Sequence, residues 1–322
     1  MDYALALTNP GPDGTLQRVD WPPLDPGEGE LRIRHDSVGV NFIDSYYRIG
    51  LYPLPAPAIP GVEGVGTVEA TGPGVTGITV GQRVAYCAQP GAFAATRLLP
   101  AWRALPLPAT VRPDVAAASM LRGMTAHMLL GHVHPVGPGG TVLILAAAGG
   151  LGGLLTQWAK ALGAVVIGTV GTAAKAGIAE GYGADHVIVG RDADLVGQVD
   201  RITGGAGVDY AIDGIGGARL AQTIAAVRAD GTVASIGQVA GPVPAMSIAD
   251  ISPRRAIRLA RPSIMAFAAD PEAYRQAGAA VFAMMERGIL VAPGQACPLV
   301  RAADALADLE GGQGTGTTLL TL

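Results

Sequence analysis

The sequence has 322 residues, of which 49% are hydrophobic and 15% are charged, so the chain is long enough for two globular domains and too apolar to be disordered. Its formal net charge of −4, without a block of like charges, argues against a nucleic-acid partner. Two cysteines, Cys87 and Cys297, cannot form a disulfide framework or a four-cysteine zinc site, and we expect both to be buried as small apolar side chains. Because there is no signal-peptide pattern and no apolar run long enough to span a membrane, we expect a cytoplasmic protein without a membrane partner.

The chain up to about residue 115 predicts a β-rich module. Short β-prone runs at Leu31–His35, Gly64–Ala70 and Arg83–Tyr86 are separated by turns such as Thr71-Gly72-Pro73-Gly74. The turns are rich in glycine and proline, which suits a compact array of short strands.

From about residue 116 the pattern changes to alternating strands and helices. The predicted strands are Thr141–Leu145, Val165–Thr169, His186–Val189, Val208–Ile212 and Thr232–Ile236, and the predicted helices are Val115–His132, 151–162, 173–182, 193–203 and 217–228. Each strand is a short, continuous apolar run, which is typical of parallel strands that are covered on both faces. The alternation therefore predicts an α/β fold with a doubly wound parallel sheet.

The last part of the chain is expected to return to the first module. It contains a predicted helix at Pro271–Arg287, a strand at Ala296–Val300, a helix at Ala302–Leu309 and a terminal strand at Thr317–Leu322. We therefore predict one domain formed by residues 1–118 with 266–322, and a nucleotide-binding domain formed by residues 119–265.

A glycine-rich turn within the alternating region predicts a dinucleotide site. The stretch Leu143–Ala161 reads LILAAAGGLGGLLTQWAKA, a buried strand, a tight turn and an amphipathic helix. It matches G-x-G-x-x-G as Ala147-x-Gly149-x-x-Gly152, with alanine in the first place. Glycines let bare backbone approach a pyrophosphate, and the N-terminus of the helix favours the anion. In a sequence with 47 glycines, an ordinary strand–helix turn remains the alternative.

The segment after the second strand of this region favours NADPH over NADH. Proteins that bind NAD usually place an acidic residue there to bind the ribose 2′-hydroxyl, whereas Gly168–Lys175 contains none. The ammonium of Lys175 and the hydroxyl of Thr172 suit a 2′-phosphate. In the alternative interpretation, Thr172 caps the next helix and Lys175 is solvated.

A tyrosine-rich segment in the first module is the candidate substrate site. Gly39–Gly61 contains Tyr46, Tyr47 and Tyr52 beside a proline-stiffened loop. Aromatic rings on a pre-organised loop suit a flat, unsaturated substrate. The alternative, above all for Tyr47, is a helix and loop in which the tyrosines pack the seam between the domains.

Six motifs in order give the chain a resemblance to a known family. GVNFIDSYYRIGLYP, GVEGVG, VGQRVAY, LRGMTAHMLL, AAAGGLGG and GTVGTAAK are similar, over nearly the whole chain, to the zinc-independent, zeta-crystallin-like quinone oxidoreductases of the medium-chain dehydrogenase/reductase superfamily. The resemblance implies a GroES-like catalytic domain, a Rossmann domain, NADP(H) and a homodimer. Zinc members carry Gly-His-Glu where this chain has Gly61-Val62-Glu63, so we expect no metal. His132-x-His134 has metal-like spacing but is expected to be a surface loop.

The same resemblance implies the roles of individual residues. Asn41, Asp44 and Tyr46 would lie near the nicotinamide ribose and Tyr52 beside the substrate, with Asn41, Tyr46 and Tyr52 as the catalytic candidates. The other cofactor-binding residues that the resemblance implies are Thr125, Met128, Gly149, Gly150, Leu151, Gly152, Ile236, Gly237, Gln238, Pro262, Ser263 and Ile264. The predicted cofactor site also includes Ala148, Gly171, Thr172, Lys175, Arg191 and Gly214.

Two positions depart from the family pattern, and both departures are expected to weaken binding of the 2′-phosphate. Val189-Gly190-Arg191 stands where related sequences commonly have a tyrosine, and Gly311-Gly312-Gln313 stands where they have a basic residue. Arg191 is the candidate replacement for the tyrosine.

The expected activity is hydride transfer from NADPH to a quinone or a similar activated enone, with a proton from Tyr46, Tyr52 or water. Two alternatives remain at the level of sequence. The first is an NADPH-dependent reductase of 2-alkenal or enoyl double bonds. The second is a non-catalytic NADPH-binding protein with a crystallin-like or RNA-associated role.

Overall fold

The computed structural model describes residues 2–251, 255–312 and 316–322. The chain divides into two units. Unit 1 comprises the chain up to Met124 together with Ala268–Leu322, and unit 2 comprises Thr125–Phe267.

Fifteen strands and nine α-helices are seen in the described residues. The strands are β1 Tyr3–Leu7, β2 Leu16–Asp20, β3 Glu30–Gly39, β4 Glu63–Thr71, β5 Arg83–Cys87, β6 Thr96–Pro100, β7 Leu105–Pro106, β8 Thr141–Ile144, β9 Val165–Val170, β10 His186–Val189, β11 Val208–Asp213, β12 Val227–Ser235, β13 Arg258–Ala260, β14 Pro293–Pro298 and β15 Thr317–Thr321. The helices are α1 Phe42–Arg48, α2 Pro113–His127, α3 Gly150–Ala161, α4 Ala176–Gly181, α5 Leu195–Thr203, α6 Arg219–Ala225, α7 Ile264–Phe267, α8 Pro271–Glu286 and α9 Ala302–Glu310.

Unit 1 is built around a seven-stranded sheet. Its strand order is β14-β15-β3-β4-β5-β7, and β6 also pairs with β3, while β1 and β2 form a separate antiparallel pair. In β3, Leu31, Ile33 and His35 are buried at every second position, as expected for a strand with one face against the core. Leu31 and Ile33 belong to a core that also includes Phe93 and Leu306. The C-terminal segment therefore completes this unit through β15 and α9.

Unit 2 contains a six-stranded parallel sheet in the order β10-β9-β8-β11-β12-β13. Numbered within the unit, this is the order 3-2-1-4-5-6 of a doubly wound sheet, so the predicted architecture is confirmed. Leu143 pairs with Ile167 on one side and with Ala211 on the other, and all three side chains are buried. From β8, successive strands are added toward one edge as far as β10, and from β11 onward they are added toward the other edge. The order of the strands therefore reverses between β8 and β11. In doubly wound folds, this switch point is where ligands bind, at the carboxyl ends of the strands.

Several predicted element bounds are corrected by the structure. The predicted helix 217–228 ends at Ala225, because Val227 is buried and pairs with Val208 at the start of β12. The α-helix predicted to reach His132 ends at His127 and continues as a π-helical turn at Met128–Val133. Strand β13 was not predicted. No helix in the described part of the chain is long and apolar enough to cross a membrane.

Candidate functional site

Most of the predicted cofactor-binding residues in unit 2 follow the carboxyl ends of parallel strands. Ala148–Gly152 follow β8; Gly171, Thr172 and Lys175 follow β9; Arg191 follows β10; Gly214 follows β11; Ile236–Gln238 follow β12; and Pro262–Ile264 follow β13. Because the six strands are parallel, these segments share one edge of the sheet. Thr125 and Met128 are exceptions, since they lie on α2 and the π-helical turn.

The glycine turn after β8 forms a cradle that side chains would fill. A Cβ atom on Gly152 would overlap the carbonyl oxygen of Ala146 and lie 2.8 Å from its carbonyl carbon. Gly149 is the N-cap of α3 and supplies no side-chain cap. The first N–H groups of a helix have no acceptor within the helix, so those of Gly150 and Leu151 are suited to an anion. The turn therefore fits the pyrophosphate of a dinucleotide.

The segments that follow β11 and β12 approach each other closely at the carboxyl edge of the sheet. A Cβ on Gly237 would lie 2.8 Å from the carbonyl carbon of Gly214, so both predicted residues lie in one tight contact. Asp213, which the sequence analysis missed, organises this region. Its buried Oδ1 accepts the N–H groups of Ile215 at 2.8 Å and Gly216 at 2.9 Å. An aspartate directly after the predicted strand Val208–Ile212 was the available signal.

The segment after β9 carries exposed polar groups. Thr172 and Lys175 are exposed, and the Thr172 side chain makes no cap hydrogen bond to the short helical turn that follows it. This observation argues against the interpretation of Thr172 as a cap. The side chain of Arg191 lies beside Gly171, with its Nε 3.4 Å from the position of a Cβ on that glycine. Arg191 therefore reaches the end of β9 from the neighbouring strand.

The two positions that depart from the family pattern contain glycines with positive φ angles, a conformation that favours glycine. Gly190 has φ +114° and Gly312 has φ +65°. Gln313 lies outside the described residues.

In unit 1, the candidate residues at the start of α1 are buried and hydrogen-bonded to one another. Asn41 is 4% exposed and Asp44 is fully buried. Asp44 Oδ2 accepts the backbone N–H of Asn41 at 2.9 Å. The side-chain amide of Asn41 donates to Glu63 Oε1 at 2.7 Å and to the carbonyl oxygen of Gly39 at 3.3 Å. The amide nitrogen of Asn41 is thereby committed to the protein, which leaves its Oδ1 as the group able to accept a further hydrogen bond.

Glu63 is the centre of this cluster and was not predicted as a site residue. Its second oxygen, Oε2, accepts the N–H of Leu121 at 2.7 Å, and Arg122 Nη1 lies 3.6 Å from Oε1. Burial raises the pKa of Glu63, and the charge of Arg122 partly opposes that shift. Burial also raises the pKa of Asp44 to about 8, so the cluster holds a carboxyl group that is largely protonated at neutral pH.

Tyr46 and Tyr52 lie together at the other end of α1. Their rings meet edge to face with centroids 5.1 Å apart, and the Tyr52 N–H donates to the Tyr46 carbonyl oxygen at 3.1 Å. Tyr46 is 8% exposed, whereas Tyr52 is half-buried. Burial raises the pKa of the neighbouring Tyr47 to about 12, so this phenol stays protonated at neutral pH. Tyr47 is itself only 6% exposed.

Groups suited to binding a metal are not assembled in the described residues. No group of three or more histidine, cysteine, aspartate or glutamate side chains is placed to hold an ion there. Val62 is fully buried. The His134 ring stacks on Tyr210 at 4.8 Å and the His132 ring contacts Phe267 at 4.9 Å, so each histidine packs against a different aromatic ring. His132 lies in the π-helical turn rather than in the predicted loop.

The two cysteines differ in burial. Cys87 is fully buried, as predicted. Cys297 is only half-buried and packs at the edge of the core of unit 1, because the strand that carries it, β14, is the outermost of its sheet.

Two family models match the chain. The model described as alcohol dehydrogenase GroES-like domain matches residues 27–109, and the model described as zinc-binding dehydrogenase matches residues 150–282. Together with the parallel sheet, these matches confirm a GroES-like domain and a Rossmann domain.

Three known proteins illustrate the similarity. Quinone oxidoreductase 1 of Escherichia coli is 37% identical over 315 residues, covering 96% of each chain. A 2-haloacrylate reductase of a Burkholderia species is 38% identical over 304 residues, covering 92% of this chain and 91% of the relative. The crystal structure of E. coli quinone oxidoreductase complexed with NADPH superposes with a TM-score of 0.93 at 35% identity, covering 99% of this chain and all of the other.

Proposed function

Because this chain belongs to the quinone oxidoreductase family of the medium-chain dehydrogenase/reductase superfamily, we propose that it is an NADPH-dependent enzyme that reduces a quinone or a similar activated enone. The observation that carries the proposal is the glycine cradle after β8, which lies at the switch point of a parallel sheet. Residues 119–265 are proposed as the NADP-binding domain, and residues 1–118 with 266–322 as the catalytic domain.

The cradle and the segment after β9 bind different parts of NADPH. The N–H groups at the start of α3 receive the pyrophosphate, and Lys175 and Arg191 supply positive charge for the 2′-phosphate. When bound, the reduced nicotinamide supplies a hydride, and a quinone that accepts it with one proton becomes a hydroquinone.

In unit 1 we assign the ribose-facing role to Asn41, whose amide nitrogen is held by Glu63 so that its oxygen can accept a hydrogen bond. Tyr46 and Tyr52 are the proposed substrate-facing phenols, and water or either phenol supplies the proton. A quinone is readily reduced and its product is aromatic, so positioning and oxyanion stabilisation suffice and no metal ion is required. We further propose a cytoplasmic homodimer.

A second candidate function is the reduction of the double bond of an unsaturated acid or aldehyde. It is favoured by the similarity to the 2-haloacrylate reductase, which is as high as that to quinone oxidoreductase 1. In that reaction hydride enters at carbon and a proton completes the saturated product.

Steady-state kinetics with a panel of acceptors tests both proposals. NADPH and NADH oxidation are compared at matched concentrations of 1,4-benzoquinone, a 2-alkenal and 2-chloroacrylate. We expect the highest kcat/KM with the quinone and NADPH. A preference for the alkenal or the acrylate would move the assignment to double-bond reduction, and NADPH binding without turnover of any acceptor would contradict both.

A further inference from the structure

The loop that carries Arg191 is fixed at both ends. At its start, the N–H of Gly190 donates to the carbonyl oxygen of Val170 at 2.9 Å, which ties the loop to the end of β9. At its end, Asp194 caps α5 by accepting the N–H of Gly197 at 3.0 Å. These bonds leave the stretch from Arg191 to Ala193 without backbone pairing to a neighbouring strand, since β10 ends at Val189.

Arg219, at the start of α6, holds the middle of the same loop. Its Nη1 donates to the carbonyl oxygens of Arg191 at 3.1 Å and Ala193 at 3.2 Å. The same nitrogen also donates to Gln222 Oε1 at 2.8 Å, within its own helix. The two N–H bonds of this one nitrogen are shared among the three acceptors, and two of these acceptors are the carbonyl oxygens on either side of Asp192, so Arg219 ties the loop to α6.

Because the loop is held in this way, the backbone position from which the Arg191 side chain extends is fixed. With its carbonyl turned toward Arg219, the residue lies next to Gly171, within van der Waals reach of the Cβ position there. Gly171 opens the segment that also carries Thr172 and Lys175. Gly190, directly before Arg191, brings no side chain to this site.

We propose that Arg219 is a positioning residue that sets the preference for a 2′-phosphorylated cofactor by holding Arg191 at the end of β9. The inference rests on the proposed use of NADPH. Arg219 is assigned to the loop because two of the hydrogen bonds of its Nη1 go to the carbonyl oxygens of Arg191 and Ala193. The ligand that this arrangement would bind is an adenosine with a phosphate on its ribose 2′-oxygen.

Binding of two nucleotide fragments to the full chain, measured by isothermal titration calorimetry, tests the proposal without any turnover. The probes are 2′,5′-ADP, which carries the 2′-phosphate, and 5′-AMP, which lacks it. We expect Arg219→Ala to weaken 2′,5′-ADP about fivefold to tenfold, through the loosened bond from Arg191, and to leave 5′-AMP within about twofold. Arg201→Ala is the matched control, because Arg201 is exposed on α5 and its guanidinium donates only weakly, to Gln198 at 3.4 Å. It should bind both fragments like the unmodified protein.

A double variant separates positioning from direct contact. If Arg219 acts through Arg191, the Arg191→Ala/Arg219→Ala protein binds 2′,5′-ADP no more weakly than Arg191→Ala alone. Additive losses, or an unchanged affinity in Arg219→Ala, would overturn the proposal. An equal loss for both fragments would also overturn it, because that result indicates general damage to unit 2. If the unmodified protein itself does not prefer 2′,5′-ADP, it is the proposed use of NADPH that fails.

Discussion

Replacing Gly152 by alanine perturbs the glycine cradle that we propose as the pyrophosphate site. The new Cβ would overlap the Ala146 carbonyl oxygen and lie 2.8 Å from its carbon and 3.0 Å from the Ala147 Cα. A normal contact between carbon atoms is about 3.5–4.0 Å, so the start of α3 must move by roughly 1 Å. Overpacking of this kind costs about 1–3 kcal/mol, and alanine regains up to about 1 kcal/mol inside a helix. The net loss of stability is therefore expected to reach about 2 kcal/mol.

Gly152→Ala is also expected to weaken the binding of NADPH. A charge-assisted hydrogen bond contributes about 1.5–3 kcal/mol, and displacing one from the pyrophosphate predicts NADPH binding about tenfold to a hundredfold weaker. The assay is NADPH fluorescence titration, with urea unfolding to follow stability. Gly177→Ala on α4 is the matched control, since no atom lies within 4 Å of its Cβ position, and it should bind NADPH normally. If Gly152→Ala binds NADPH as tightly as that control, the assignment of the cradle is refuted.

Three further predictions concern single side chains. Lys175→Ala should raise the KM for NADPH in steady-state assays and hardly change that for NADH, and equal effects on both would count against a 2′-phosphate contact. Burial raises the pKa of Asp44 to about 8, so this carboxyl group binds its proton more tightly in the folded state than in the unfolded state. The free energy of unfolding should therefore fall as the pH rises from about 4 to 8, by at most about 1.4 kcal/mol per pH unit. Asp44→Asn should flatten that slope in urea unfolding at pH 5, 6.5 and 8, and an unchanged slope would contradict the assignment. Tyr86→Phe removes the hydroxyl that lies 2.7 Å from Nε2 of the buried His35, and should cost about 1–3 kcal/mol in the free energy of unfolding; an unchanged urea midpoint would argue against that hydrogen bond.

The sequence was most informative where local pattern and burial agree. In unit 2 the strands are short apolar runs, and Leu143 and Ile167 are buried because both faces of the sheet are covered. The glycine turn followed from local chemistry as well, because a tight strand–helix turn demands residues such as Gly152. These features depend on neighbours within a few residues, so they can be inferred from the sequence.

Contacts between distant segments were not predictable in the same way. Asn41 meets Glu63, and Glu63 meets Arg122, only because distant segments come together in the folded unit. Arg219 reaches the loop of Arg191 from 28 residues away, and nothing in its local pattern marks that role. Strand β13 was missed because its edge position leaves Arg258 and Leu259 exposed, which removes the apolar pattern of the inner strands. Periodicity reports burial, so partly exposed elements and long-range polar pairs are not visible to it.

The most direct test of the proposed activity is a single-turnover experiment with the purified, chelator-treated protein. The protein is mixed under anaerobic conditions with NADPH carrying deuterium at the transferred position, and with 1,4-benzoquinone. We expect one NADPH oxidised per quinone reduced, a primary isotope effect on the rate, and no stimulation by added zinc. An absence of NADPH oxidation above the uncatalysed rate, or activity that depends on restored zinc, would contradict the proposed activity.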